Sequence, residues 1–140
     1  MEQANIKGKS KEKAFLKLLR EAMIKEVGTY LDFLVSIDVL NAYKVKRDFG
    51  MGDSTFNNLR LCKLTVSFVT LEKMVYVIAY YLGEYQKAVE AEPYGHEKAE
   101  KQNGMPAIID RFKKLYGVRA SLALDMSEKG IDLRQVVKHE

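Results

Sequence analysis

The chain has 140 residues, 47% of them hydrophobic and 30% charged, which suits one folded domain or two small ones with a real core and argues against a largely disordered chain. Its 23 Lys and Arg against 19 Asp and Glu leave a formal charge of +4, a mild bias towards an anionic partner. One cysteine, Cys62, lies in an apolar stretch and reads as a buried thiol in a reducing compartment, the charged start MEQANIKGKSKEK lacks the apolar run of a secretory signal, and the longest apolar run, Met74 to Leu82, is about half of the roughly 20 residues a membrane span needs, so the expectation is a cytoplasmic protein with no membrane partner.

With only two prolines and long stretches free of glycine, the sequence predicts an all-α fold, a compact bundle of about six to seven helices. From Ser10 onward, Phe15, Leu18, Leu19, Ala22 and Met23 share one helical face, with Lys11, Lys13, Lys17, Arg20 and Lys25 mostly on the other. Gly28 and Thr29 read as a break with Thr29 as an N-cap, and Tyr30, Leu31, Phe33, Leu34, Ile37 and Leu40 form a second helix. A short basic helix, NAYKVKRDF, stops at Gly50-Met51-Gly52, and Asp53 or Ser54 caps the next, STFNNLRLCK. Residues 64 to 69 alternate in a way compatible with a strand, but a loop is preferred because Thr70 reads as the N-cap of a long helix that fades near Glu90. The helical domain thus covers 1–90, and residues 91–104, with Pro93, Gly95, Asn103 and Gly104 among charges, form the expected linker. Residues 105–140 carry a helix at PAIIDRFKKLY, a stop at Gly117, a helix from about Arg119 to Lys129, a stop at Gly130 and a last helix from Asp132, packed on the same core.

A helix-turn-helix lays its second helix in the DNA major groove while the first packs across it. It needs glycine at the tight turn, apolar residues gluing the two helices, and hydrogen-bonding groups on the exposed face of the second. Residues 42–63, AYKVKRDFGMGDSTFNNLRLCK, supply these: Val45 and Phe49 as the inner face of the first helix, Gly50 in the turn, Met51 after it, and Phe56 and Leu59 as the inner face of the second. Opposite them lie Ser54, Asn57, Asn58 and Leu61. Asparagine can pair bidentately with adenine and leucine can touch a thymine methyl, while Lys44, Lys46, Arg47, Arg60 and Lys63 surround this face and could hold phosphates.

This segment resembles the helix-turn-helix of the Cro and phage-repressor family. The likeness runs over roughly Thr29 to Leu82, since VSFVTLEKMVYVIAYYL looks like that family's fourth helix, with the capped start Thr70-Leu71-Glu72-Lys73-Met74. The resemblance implies base-reading positions at Asp53, Ser54, Asn57, Asn58 and Leu61. Lys46 stands where the family usually has a small residue, so its side chain must turn outward or widen the angle between the helices. Another reading of the same residues makes Gly50 an ordinary junction between two core-packing helices.

The pattern apolar, Lys, basic, any, aromatic, Gly, apolar occurs at Val45–Met51 and again at Phe112–Val118, with Ser54 and Ser121 each four positions past the glycine. Coincidence is the preferred reading, because ASLALDMSEKG has few groups suited to base edges. His96 and His139 read as solvent-exposed, and no metal spacing, phosphate-cradling loop or nucleophile elbow appears, so no metal, no cofactor and no enzymatic activity are expected. Tyr76, Tyr80, Tyr81 and Tyr85 crowd one helix, which is either the centre of the core or in part a face for a partner subunit.

Taken together, these residues predict a small non-enzymatic protein that binds double-stranded DNA as a homodimer, a transcriptional regulator of bacterial or mobile-element type. The alternative is a helical protein–protein interaction module, an accessory or inhibitory factor, that does not bind DNA. The positive charge is segregated: residues 1–25 carry seven bases and three acids, 44–63 five and two, and 101–119 five and one, whereas 84–100 carry two and five.

Overall fold

In the computed structural model, which describes residues 2–138 and the side chains of residues 13–137, the chain forms seven helices. They are α1 (Glu2–Ser36), α2 (Ala42–Phe49), α3 (Asp53–Arg60), α4 (Phe68–Ala91), α5 (His96–Tyr116), α6 (Val118–Glu128) and α7 (Leu133–Lys138). Among the described residues there is no strand, so the all-α class holds, and residues 64–67 are loop.

The central element is α4, against which α1, α5, α6 and α7 all pack. Leu71, Met74, Val75, Ile78 and Leu82 are buried along it at helical spacing, which is what draws the other helices onto it. Its N-cap is Ser67, whose hydroxyl accepts the Thr70 N–H at 3.2 Å, so the cap lies three residues before the expected one at Thr70. The contact with α6 is close because Ala120 and Ala123 are buried there, and a Cβ at Gly83 would come 2.9 Å from Ser127 Oγ. The tyrosines on α4 serve the core: Tyr81 is buried, and Tyr76, Tyr80 and Tyr85 are half-buried against it.

The expected break at Gly28-Thr29 does not exist, because α1 runs through it. Gly28 is instead the point where α3 crosses α1. A Cβ there would collide with the Leu59 carbonyl oxygen and lie 2.7 Å from Cys62 Sγ, so the glycine permits contact rather than a turn. Thr29 does not cap either, since its hydroxyl donates to the Lys25 carbonyl four residues back, as mid-helix threonines do. What changes near residue 23 is burial. Ile24, Val27 and Leu31 are buried in the bundle, whereas residues 13–19 are exposed on every face, Phe15 66% and Leu18 67%, so this part of α1 extends past the core.

The helix α1 ends with Asp38 in the left-handed region (φ 63°) and the Val39 N–H bonded to the Leu34 carbonyl, a Schellman closure made without glycine. The linker contracts to residues 92–95, since 96–104 are already helical in α5. Pro106, expected at a helix start, lies inside α5, where its missing N–H removes the bond to the Gln102 carbonyl. No described helix is long and apolar enough to cross a membrane.

Candidate nucleic-acid interface

Residues 42–63 fold as two short helices about a glycine turn. The Asn41 side chain caps α2 by accepting the Lys44 N–H at 2.9 Å, and Gly50 ends it in the left-handed region (φ 71°), with its N–H bonded to the Lys46 carbonyl at 3.0 Å. The α3 helix then starts at Asp53 and closes on Cys62, which takes φ 59° so that Lys63 N–H reaches the Asn58 carbonyl at 2.8 Å. That turn leaves the Cys62 thiol half-buried against α1, not deeply buried as its apolar neighbours suggested. Val45, Phe56 and Leu59 are buried, and Phe49 and Met51 pack on the same core, as the spacing predicts.

The outer face of α3 is open. Asp53, Ser54, Asn57 and Leu61 are exposed and Asn58 is half-exposed. Among the described residues, the side chains of Ser54, Asn57 and Asn58 have no hydrogen-bond partner within the protein, so their donors and acceptors point to solvent. The opposite side of α3 is held on α1 by the Gly28–Leu59 crossing, beside which Arg60 Nε makes an exposed bond to Asp32 Oδ1 at 2.6 Å.

The five basic residues do not share one face. Lys46 turns outward to within 3.8 Å of Asp53, and Lys63 is exposed just past the other end of α3. Arg60 leans on α1, while Lys44 and Arg47 line a cleft between α2 and α4 with Tyr80, Tyr81 and Glu84. Arg47 also makes two bonds to Asp48, at 3.0 and 3.2 Å.

Sequence reasoning missed Asp48, the one buried acid among the described residues. Arg47 grips it from outside, the Tyr81 hydroxyl donates to it at 2.6 Å from α4, and Arg134 of α7 lies 4.0 Å away. The Arg47 bond chiefly holds its pKa below the usual carboxylate range; burial opposes this, and the Tyr81 bond adds to the lowering. Burial, and then the bond to Asp48, push the Tyr81 phenol up. This cluster sets how α2 sits on the core. Nothing local in the sequence marks its burial, since Tyr81 and Arg134 lie 33 and 86 residues from Asp48.

The second copy of the basic-aromatic-glycine pattern has a different backbone. Gly117 takes φ 61°, ψ −130° and leads directly into α6, whose Ala120 and Ala123 are buried. Gly50 takes φ 71°, ψ 12° and is followed by two more turn residues, so the two sites are not copies of one motif. His96 is exposed, its Nε2 2.9 Å from Glu100 Oε1, and His139 lies outside the described residues. Among the described residues no three His, Cys, Asp or Glu side chains converge as a metal site. No family model, curated protein or solved structure matches the chain.

Proposed function

We propose that the chain is a small, non-enzymatic DNA-binding protein, a transcriptional regulator of bacterial or mobile-element type, with α3 as the helix that enters the major groove. The observation that supports this is the row Ser54, Asn57, Asn58 and Leu61, open to solvent on a helix whose other side is fixed on α1. A rigid helix carrying unspent amide groups is what reading base edges requires. Lys46 and Lys63 stand at the two ends of α3, where phosphates flank a helix in the groove. Lys46–Asp53 and Arg60–Asp32 are exposed ion pairs, worth about 0–1 kcal/mol each, so both cations can turn to phosphate at little cost. Lys44 and Arg47 contribute less to docking than the sequence suggested, because they line the α2–α4 cleft.

The same reading has the protein act as a homodimer through Phe15, Leu18 and Leu19. This stripe lies on the part of α1 that extends past the core, so the chain's own bundle does not cover it. Pairing two copies along it would bury apolar side chains and set two α3 helices for two half-sites. A second reading, the interaction module without DNA, is favoured by that same stripe, with a different protein as its occupant.

Fluorescence anisotropy with a labelled random duplex tests the primary reading. Binding should be measurable at low salt and fall linearly in log K against log salt. Absence of duplex affinity at low salt would leave the interaction module.

A further inference from the structure

The helices α1, α4 and α5 leave a cleft of about 510 Å³ on a side of the bundle the reading helix does not use. That volume lies within the roughly 300–1,000 Å³ of small-molecule sites. Tyr30, Phe33 and Ile37 line it from the α1 side, Tyr85 from α4, and Ala107 and Ile108 from α5. Tyr30 is fully buried behind this wall, its phenol donating to the Ile108 carbonyl at 2.8 Å, so Phe33, Ile37, Tyr85 and Ile108 supply the apolar surface a ligand can touch. At Gly104 no atom lies within 4 Å of where a Cβ would stand, which keeps that wall open.

Three charged side chains border these apolar walls, and two are already paired. Lys101 Nζ is 2.9 Å from Glu92 Oε1, and Glu100 is 2.9 Å from His96. Arg111 differs. Its guanidinium carbon lies 5.2 Å from the Tyr30 ring centre and 5.5 Å from that of Phe33, and among the described residues no carboxylate pairs with it. Two aromatic rings therefore hold a guanidinium at the edge of an apolar cleft with its N–H groups unspent.

We propose that this cleft binds a small monocarboxylate with an apolar aryl body, the carboxylate taking Arg111 in a forked pair and the body lying against Phe33, Ile37, Tyr85 and Ile108. An apolar body alone would gain only the walls. A dicarboxylate or phosphate would bring more charge than one guanidinium answers, with Glu100 repelling the excess. The site stands whether or not α3 binds DNA.

The test is a heteronuclear NMR titration of the full chain with 4-phenylbutyrate and, in parallel, with 4-phenylbutan-1-ol, which has the same body and no charge. The acid should shift amides of residues 30–37 and 104–111 and bind about tenfold more tightly than the alcohol, the order of one charge-assisted hydrogen bond. Arg111→Gln should abolish that preference while leaving alcohol binding, Arg111→Lys should restore part of it, and Ala107→Phe, at an exposed helical position, should block both ligands. Equal binding of acid and alcohol, shifts elsewhere in the chain, no binding at millimolar ligand, or an unchanged preference in Arg111→Gln would overturn the proposal.

Discussion

The Tyr81 hydroxyl reaches across 33 residues of chain to donate a 2.6 Å hydrogen bond to Asp48, joining the last turn of α2 to the central helix. Replacing Tyr81 by Phe keeps the ring packed edge-on against Phe49 and Tyr80 and removes only this donor. The carboxylate keeps Arg47 but loses this bond on its buried side, at a cost of about 1–3 kcal/mol. Urea unfolding at pH 7 should show this loss as a lower midpoint with an unchanged slope.

The same acid makes stability depend on pH in a definite direction. Because Asp48 has a lower pKa folded than unfolded, the unfolded chain binds its proton first as pH falls. Its contribution is therefore complete above the ordinary carboxylate value of about 4 and is lost as pH drops through the lower folded value. Asp48→Asn should be less stable than wild type at pH 7, with the gap narrowing below about pH 4. Thermal melts of the two proteins from pH 7 to 3 check this; a constant gap would show that Asp48 keeps its ordinary pKa.

Two glycines in helices should respond to alanine with opposite signs. At Gly104 the added methyl meets open space, and lower backbone entropy in the unfolded chain should stabilise by about 0.4–1 kcal/mol. At Gly28 the methyl meets the Leu59 carbonyl and Cys62 Sγ, so α3 must move off α1, and a net loss of about 1–3 kcal/mol is expected. Denaturation midpoints of the two variants, compared with wild type, measure both signs.

Association should depend on the outward stripe of α1. Leu18 is 67% exposed, so Leu18→Glu costs the monomer little. In light scattering after gel filtration the variant should run as a monomer where wild type runs as a dimer. Identical masses would remove the stripe from any self-association.

Helix number, the α2–α3 turn, the Gly117 and Gly130 stops and the inner residues Val45, Phe56 and Leu59 were legible because they follow from local spacing and from glycine's access to positive φ. The long α1 was not. Glycine and threonine at 28 and 29 between two amphipathic stretches have the pattern of two helices, whereas the glycine serves the α3 crossing within one helix whose earlier part is exposed and later part buried. The exposure of Ser54 and Asn57 was legible from the helical period, but the burial of Asp48 under Tyr81, which ties up its neighbour Arg47, and the diversion of Arg60 to Asp32 were not, since each depends on helices brought together only by folding. The cleft beside Arg111 was invisible for the same reason: its walls come from three helices spread over about 80 residues of sequence.

Selection of bound duplexes from a random-sequence pool tests the reading role of α3 most directly, run in parallel on wild type and on Asn57→Ala combined with Asn58→Ala. Each bidentate asparagine–adenine pair is worth about 1–3 kcal/mol of discrimination. Wild type should enrich a motif with fixed adenines, and the double variant should lose those positions while keeping its fold and the salt dependence of its binding. No enrichment by wild type, or the same motif from both proteins, would contradict the assignment of α3 as the reading helix.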